Sequence, residues 1–173
     1  MKPAGDQDQR YLEAAAAHGG AMQRLARAME ADPGRRQDLL QDMHVALWRS
    51  LARFDGRCSL KTWVYRVAHN VASTHAGREM RRNRGLVGEE AIAPVAAPDN
   101  PASDYEREDA LERLNAWIRA LKPADRQVMT LYLEDLDAAS IAEVMGLKPG
   151  AVMTRISRLK ARLAEDFREA ADV

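Results

Sequence analysis

Between about Arg81 and Asp104 the apolar periodicity of this 173-residue chain stops, and beyond Asp104 it resumes. Pro94, Pro98 and Pro101 stand in that stretch with Gly85, Gly88, Asp99 and Asn100, residue types that remove backbone donors or favour turns. Such a stretch separates the helical pattern before it from the pattern after it. The pattern predicts two small modules, residues 1–80 and 105–173, joined by a flexible linker at 81–104. Ala, Leu and Arg are abundant while Ile, Thr and Phe are few, so both modules are expected to be all-α.

Helical signals fill each side. Tyr11 to Met29 is weakly patterned, with Leu12, Met22, Leu25 and Met29 the informative positions. Asp32-Pro33-Gly34 breaks it. From Arg36 to Ala52, Leu39, Leu40, Met43, Leu47 and Leu51 recur at helical steps, and Gln41, Val45, Trp48 and Ala52 form a second stripe opposite. A two-faced helix is either sandwiched in its own domain or docked on a partner helix. Phe54 to Ser59 reads as a loop, with Ser59 as the cap of the next helix. There Leu60, Trp63, Val64, Val67, Ala68 and Val71 mark a buried face, while Lys61, Thr62, Tyr65, Arg66, His69, Asn70 and Ser73 occupy the other. Beyond the linker, Leu111, Leu114, Ile118 and Leu121 write a short helix, and a second begins at Pro123.

The charges are sorted as the helices are. Lys+Arg and Asp+Glu number 26 each, so the net charge is zero. Yet residues 53–84 carry eight bases against Asp55 and Glu79, residues 85–115 carry eight acids against Arg107 and Arg113, and residues 148–162 carry five bases and no acid. Two basic stretches separated by an acidic one are the footprint of two contacts on a polyanion; solvated helix faces would be the plainer reading. The polar face from Lys61 to Ser73 mixes cations, amide and hydroxyl donors and an aromatic, groups that suit phosphates and stacked bases. A linker of about 24 residues reaches roughly 80 Å at about 3.3 Å per residue. Two turns of duplex span about 70 Å, so both modules can hold DNA at once.

The segment Ala138 to Leu163 reads as a helix-turn-helix. Ile141, Ala142, Val144 and Met145 lie on a short helix, Gly146-Leu147-Lys148 form the turn, and a longer helix starts at Pro149. Ala142, four before Gly146, permits a close crossing, and Gly146 can take the left-handed conformation of the turn. In the longer helix Val152, Ile156, Leu159 and Leu163 face inward; Gly150, Thr154, Ser157, Arg158 and Ala161 face away, flanked by Lys148, Arg155, Lys160 and Arg162. Small, hydroxyl and basic residues outward suit a major groove.

These residues, in this order, closely resemble the sigma-70 family of bacterial RNA polymerase initiation factors, in its small two-domain extracytoplasmic-function group. Asp38 to Trp48 (DLLQDMHVALW) is similar to the family helix that docks on the polymerase clamp. Phe54 to Asn70, above all LKTWVYRVAHN from Leu60, is similar to the segment that opens and captures the minus-ten promoter element. Leu121 to Arg126 and Ser140 to Leu163 resemble the domain whose recognition helix reads the minus-thirty-five element. The resemblance implies two small helical domains, a region 2-like bundle and a region 4-like helix-turn-helix domain. It also implies polymerase contacts at Asp38, Gln41, Asp42, Val45 and Trp48; minus-ten contacts at Phe54, Arg57, Ser59, Lys61, Thr62, Tyr65, Arg66, His69, Asn70 and Ser73; and minus-thirty-five contacts at Lys148, Gly150, Thr154, Arg155, Ser157, Arg158 and Arg162. The loop Phe54–Ser59 would wall a pocket for a base flipped from the melted strand. The chain departs from the family pattern at Thr74, where relatives place an acid and basic residues, and at Met153, where Lys or Arg is common.

The implied partners are core RNA polymerase, promoter DNA as duplex and as melted non-template strand, and, as in many relatives, an anti-sigma protein. An autonomous helix-turn-helix regulator is the competing reading; it would leave the Lys61–Ser73 face idle. No enzyme is expected: His18, His44, His69 and His75 form no metal-ligand motif with a suitably spaced acid, and no glycine-rich phosphate loop or nucleophile elbow occurs. Cofactor and metal are accordingly expected to be none. One cysteine, Cys58, excludes an internal disulfide. With no run of 18 apolar residues and a polar start from Met1 to Arg10, the chain is expected in the cytoplasm, without membrane insertion.

Overall fold

Asp32 decides where the first helix pair turns. Its carboxylate accepts the Arg35 N–H at 2.8 Å, and Pro33 opens the first turn behind it. In the computed structural model, which describes residues 4–84 and 104–171, α1 spans Ala4–Met29 and α2 spans Pro33–Leu51. The break expected at Asp32-Pro33-Gly34 is thus the cap that starts α2. Leu39, Met43, Leu47 and Leu51 are buried along α2, while Leu40 is only partly covered. They meet Ala14, Met22, Leu25, Ala26 and Met29 of α1.

α3 spans Leu60–Arg84 and completes this group with Val64, Ala68 and Ala72. Ser59 caps it: its Oγ accepts the Thr62 N–H at 3.0 Å, and its carbonyl accepts the Trp63 N–H. The helix runs to Arg84, through four residues expected to be linker. Arg81, Arg82 and Arg84 form its last turn, where the helix dipole favours cations. Residues 85–103 of the expected linker lie outside the described residues, and Asp104, its last position, opens the next helix.

The second group is α4 (Asp104–Ala120), α5 (Pro123–Leu133), α6 (Ala138–Met145) and α7 (Pro149–Ala171). Its core is Trp117, Ile118, Leu121, Val128, Met129, Leu131, Leu136, Ile141, Ala142, Val144, Val152 and Leu159. Each fully buried Leu, Ile, Met or Val contributes about 1.5–3 kcal/mol of transfer free energy, so α5 and α6, too short to stand alone, are held by packing. Asp137 caps α6 by accepting the Ser140 N–H at 2.7 Å. Gly146 ends it at φ 68°, and the Leu147 N–H returns to the Ala142 carbonyl at 2.9 Å.

The chain is all-α among its described residues. No helix there is long and apolar enough to cross a membrane. The two groups also touch. Ala21 and Ala28 of α1 and Tyr65 of α3 belong to the same buried cluster as Trp117, Ile118 and Leu121.

Candidate nucleic-acid interface

The outward stripe of α2 is open. Asp38, Gln41, Asp42, Val45 and Trp48 are all exposed, at the helical steps that place them on one side. Trp48 is 44% exposed and anchored by its edge, its Nε1–H donating to Asp8 Oδ1 at 2.8 Å. Gln7 Nε2 donates to the Trp48 carbonyl at 2.7 Å. The two-faced pattern read in the sequence is therefore one core face and one solvent face.

The loop before α3 turns at Gly56, φ 77°. Phe54 lies half-buried against Trp63, ring centroids 5.3 Å apart, and Trp63 Nε1–H donates to Ser50 Oγ at 2.9 Å. Arg57 is exposed and pairs with Asp55 at 2.9 Å, an exposed pair of little energetic value. Ser59, Lys61 and Asn70 are exposed, Ser73 is half-buried, and Thr62 is buried with its hydroxyl 2.9 Å from Ser59 Oγ. Lys61 Nζ sits 6.0 Å from the Tyr65 ring centroid.

Tyr65 and His69, like the buried Thr62, are corrections to the outward face read from periodicity. Both are buried, at 7% and 3% exposure, because α5 and α6 lie across this part of α3. Tyr65 Oη–H donates to Glu134 Oε2 at 3.4 Å, and Arg66 donates to the Glu143 carbonyl at 3.0 Å. Burial, then the Glu134 charge, push the Tyr65 phenol up to about 12. Burial pushes His69 down to about 3, so the imidazole is neutral at ordinary pH. Its Nδ1 is buried without a hydrogen-bond partner among the described residues.

Lys148, just before α7, and Gly150, Thr154, Ser157, Arg158 and Arg162 on it are exposed, and Arg155 is half-buried. Met153 is also outward, at 62% exposure. Thr154 Oγ1–H returns to the Gly150 carbonyl at 3.0 Å. Arg155 and Arg158 share a partner the sequence reading missed. Asp125 in the first turn of α5 accepts from Arg155 at 3.0 Å and from Arg158 at 3.2 Å. One carboxylate so aims two guanidiniums across the α5–α7 contact. A second missed cluster joins the end of α1 to α3. Glu30, His75 and Glu79 each bring a ligand atom within 4.8 Å of the others. His75 and Glu79 stand at i and i+4 on α3, a signal present in the sequence. Glu30 already meets His75 at 2.9 Å and Arg35 at 3.4 Å, and Glu79 meets Arg82 at 2.7 Å, so the carboxylates are neutralised in an ion-pair network. Burial acts to raise the Glu30 pKa, but the Asp32 N–H, His75 and Arg35 together hold it below its ordinary value.

The family models of Sigma-70 region 2 and Sigma-70 region 4 match residues 15–82 and 111–163, in that order. The chain belongs to the sigma-70 family. It falls in the extracytoplasmic-function group, and the sigma factor's function is promoter-specific initiation of transcription. It is 30% identical to the ECF RNA polymerase sigma-E factor of Haemophilus influenzae over 71% of this chain and 69% of that one. It is 28% identical to the Probable RNA polymerase sigma factor RfaY of Xanthomonas campestris pv. campestris over 83% of this chain, and it matches 36% of the length of that relative. The structure of CnrH in complex with the cytosolic domain of CnrY resembles it in fold, with a TM-score of 0.67, 24% identity, and coverage of 94% of this chain and 90% of that one. Both regions match in one chain, and the relatives are sigma factors; these findings favour a sigma factor over an autonomous regulator.

Proposed function

We propose that this sigma factor binds core RNA polymerase through the exposed α2 stripe Asp38, Gln41, Asp42, Val45 and Trp48, and selects promoters with two DNA contacts. The loop Phe54–Ser59 and the start of α3 hold the melted minus-ten strand. Lys148, Gly150, Thr154, Arg155, Ser157, Arg158 and Arg162 meet the minus-thirty-five duplex.

One observation carries the reading: α7 follows a left-handed Gly146 turn and presents a face of small, hydroxyl and basic residues to solvent. Phosphate contacts from such a face set register, and side chains at its centre reach base edges. The polymerase supplies the catalysis, while this chain supplies binding energy in the cytoplasm. Strand opening is uphill, and capture of an unstacked base by the loop before α3 offsets part of that cost. Binding at both elements at once makes opening favourable. An anti-sigma protein would compete for these faces.

Run-off transcription with bacterial core polymerase over a randomised promoter library tests this. Enrichment of two short elements, dependent on the added chain, is expected. Tight specific duplex binding by the chain alone, with no polymerase-dependent transcripts, would establish the autonomous regulator instead.

A further inference from the structure

Asp125 is an acid placed behind a DNA-reading helix. It is 9% exposed, and with Glu30 it makes up the buried carboxylates among the described residues. It stands in the first turn of α5, where the helix dipole favours an anion. Its side chain makes no cap there. Both oxygens go across to α7 instead. Oδ1 accepts from Arg155 Nη1 at 3.0 Å, and Oδ1 and Oδ2 each accept from Arg158 Nη2 at 3.2 Å. Val128 and Leu131 of α5 share a buried core with Val152 and Leu159 of α7, so packing fixes where the carboxylate stands relative to α7.

The tie leaves Arg158 able to act. A guanidinium carries five N–H donors in a fixed plane, and only Nη2 of Arg158 takes part in the bond. The side chain is 65% exposed, so its other nitrogens face outward ground. An untethered arginine would sample many rotamers and settle on any phosphate within reach, a contact that carries no sequence information. Held at one end, it has less freedom to lose when it meets one base edge. Two guanidiniums against one covered carboxylate keep the cluster net positive, so the acid does not repel the duplex. Arg162 makes the contrast. Its partner Asp166 is itself exposed, one turn along the same helix at 3.5 Å, and such a pair gives way readily to a phosphate.

We propose that Asp125 is a positioning residue for promoter choice: it holds Arg158, with Arg155 beside it, in the pose from which Arg158 reads a base of the minus-thirty-five element. The inference rests on the assignment of α7 to that duplex. Asp125 acts through Arg158 without touching DNA. A plain tie between α5 and α7 would predict something different. Loss of a tie weakens every contact α7 makes, whereas loss of positioning erases preference at the base that Arg158 reads and spares the others.

The test uses the full chain with bacterial core polymerase, as wild type, Asp125→Asn, Arg158→Ala and the double variant. Run-off transcripts from a library randomised over the minus-thirty-five element give the base preference at each position. Arg158→Ala is expected to flatten one position. Asp125→Asn should flatten the same position by roughly fivefold, the lower end of what one arginine–base contact discriminates, and leave the others as in wild type. The double variant should lose no more than Arg158→Ala alone, because both changes act through one contact. Preferences unchanged in Asp125→Asn, or lowered equally at every position, overturn the proposal. Circular dichroism checks folding; should Asp125→Asn not fold, Arg158→Lys carries the test, since lysine keeps the charge without the planar group. Loss of preference at that same position is then expected, and full retention overturns the proposal. The two readings fail separately. Flattening by Arg158→Ala but not by Asp125→Asn sinks the positioning role alone, whereas no polymerase-dependent transcripts from wild type sink the sigma-factor reading beneath it.

Discussion

Replacing Gly146 by alanine isolates a single physical cost. The residue lies at φ 68°, ψ 34°, and a Cβ built there meets nothing within 4 Å. No clash accompanies the change, so the penalty is the left-handed backbone itself, about 1–2 kcal/mol for an L-residue. Alanine also restricts the unfolded chain, returning about 0.4–1 kcal/mol, and the expected net loss is about 0.5–1.5 kcal/mol. Asparagine tolerates this region better, so Gly146→Asn should lose less than Gly146→Ala. Urea unfolding followed by circular dichroism, with m held constant, reads both numbers. The same variants should weaken duplex binding by α7, because relaxing the turn changes the angle at which α7 leaves α6. Equal stability of the alanine and glycine proteins, or asparagine costing as much as alanine, would refute the claim that the turn depends on a left-handed residue.

Met43→Ala, at a position with 0% exposure on α2, should cost about 2–5 kcal/mol through lost transfer energy and a residual cavity, read by thermal or urea melting. Arg158→Ala should reduce discrimination between promoter and random duplex by about 1–3 kcal/mol if Arg158 reads a base edge; equal losses on both duplexes, measured by fluorescence anisotropy, would make it a phosphate contact. The His69 pKa, about 3 when folded against 6.5 ordinarily, sets a sign for pH. The unfolded imidazole takes a proton that the buried one refuses, so stability should fall as pH drops from about 6.5 towards 3. His69→Phe should flatten that part of the profile, and an unchanged slope would place its origin elsewhere. Glu30, held below its ordinary pKa of 4.5, contributes stability that is present above that value and lost on further acidification through its folded pKa.

Most of the helix grammar was open to reading before any coordinates. The α2 stripe Leu39, Met43, Leu47 and Leu51 is buried as its spacing requires, Ser59 caps through its hydroxyl, and Gly146, with no Cβ, takes the left-handed conformation that ends α6. The outward set of α7 also stands where a period of 3.6 puts it. α1 was harder to read, because Ala14 to Ala17 fit any face; it starts at Ala4, seven residues before the weak apolar pattern that begins at Tyr11. The exposed faces of α2 and α7 were legible, and that of α3 was misread at Tyr65 and His69. There, periodicity separates the α1–α2 side from its opposite, but it cannot say that the opposite side is water. Tyr65 and His69 are polar enough to be scored outward and large enough to fill an interface.

What the chain order determined alone is local: helix starts, stops and faces follow from side-chain chemistry within a few residues, since capping and periodicity are short-range interactions. Which polar face is wet was decided only in three dimensions. Glu134 lies 110 positions from Arg24 and 69 from Tyr65, and Asp125 lies 30 from Arg155. Pairings at those separations depend on how helix axes cross. That is a property of the summed packing of both cores, which no residue's neighbours in sequence encode.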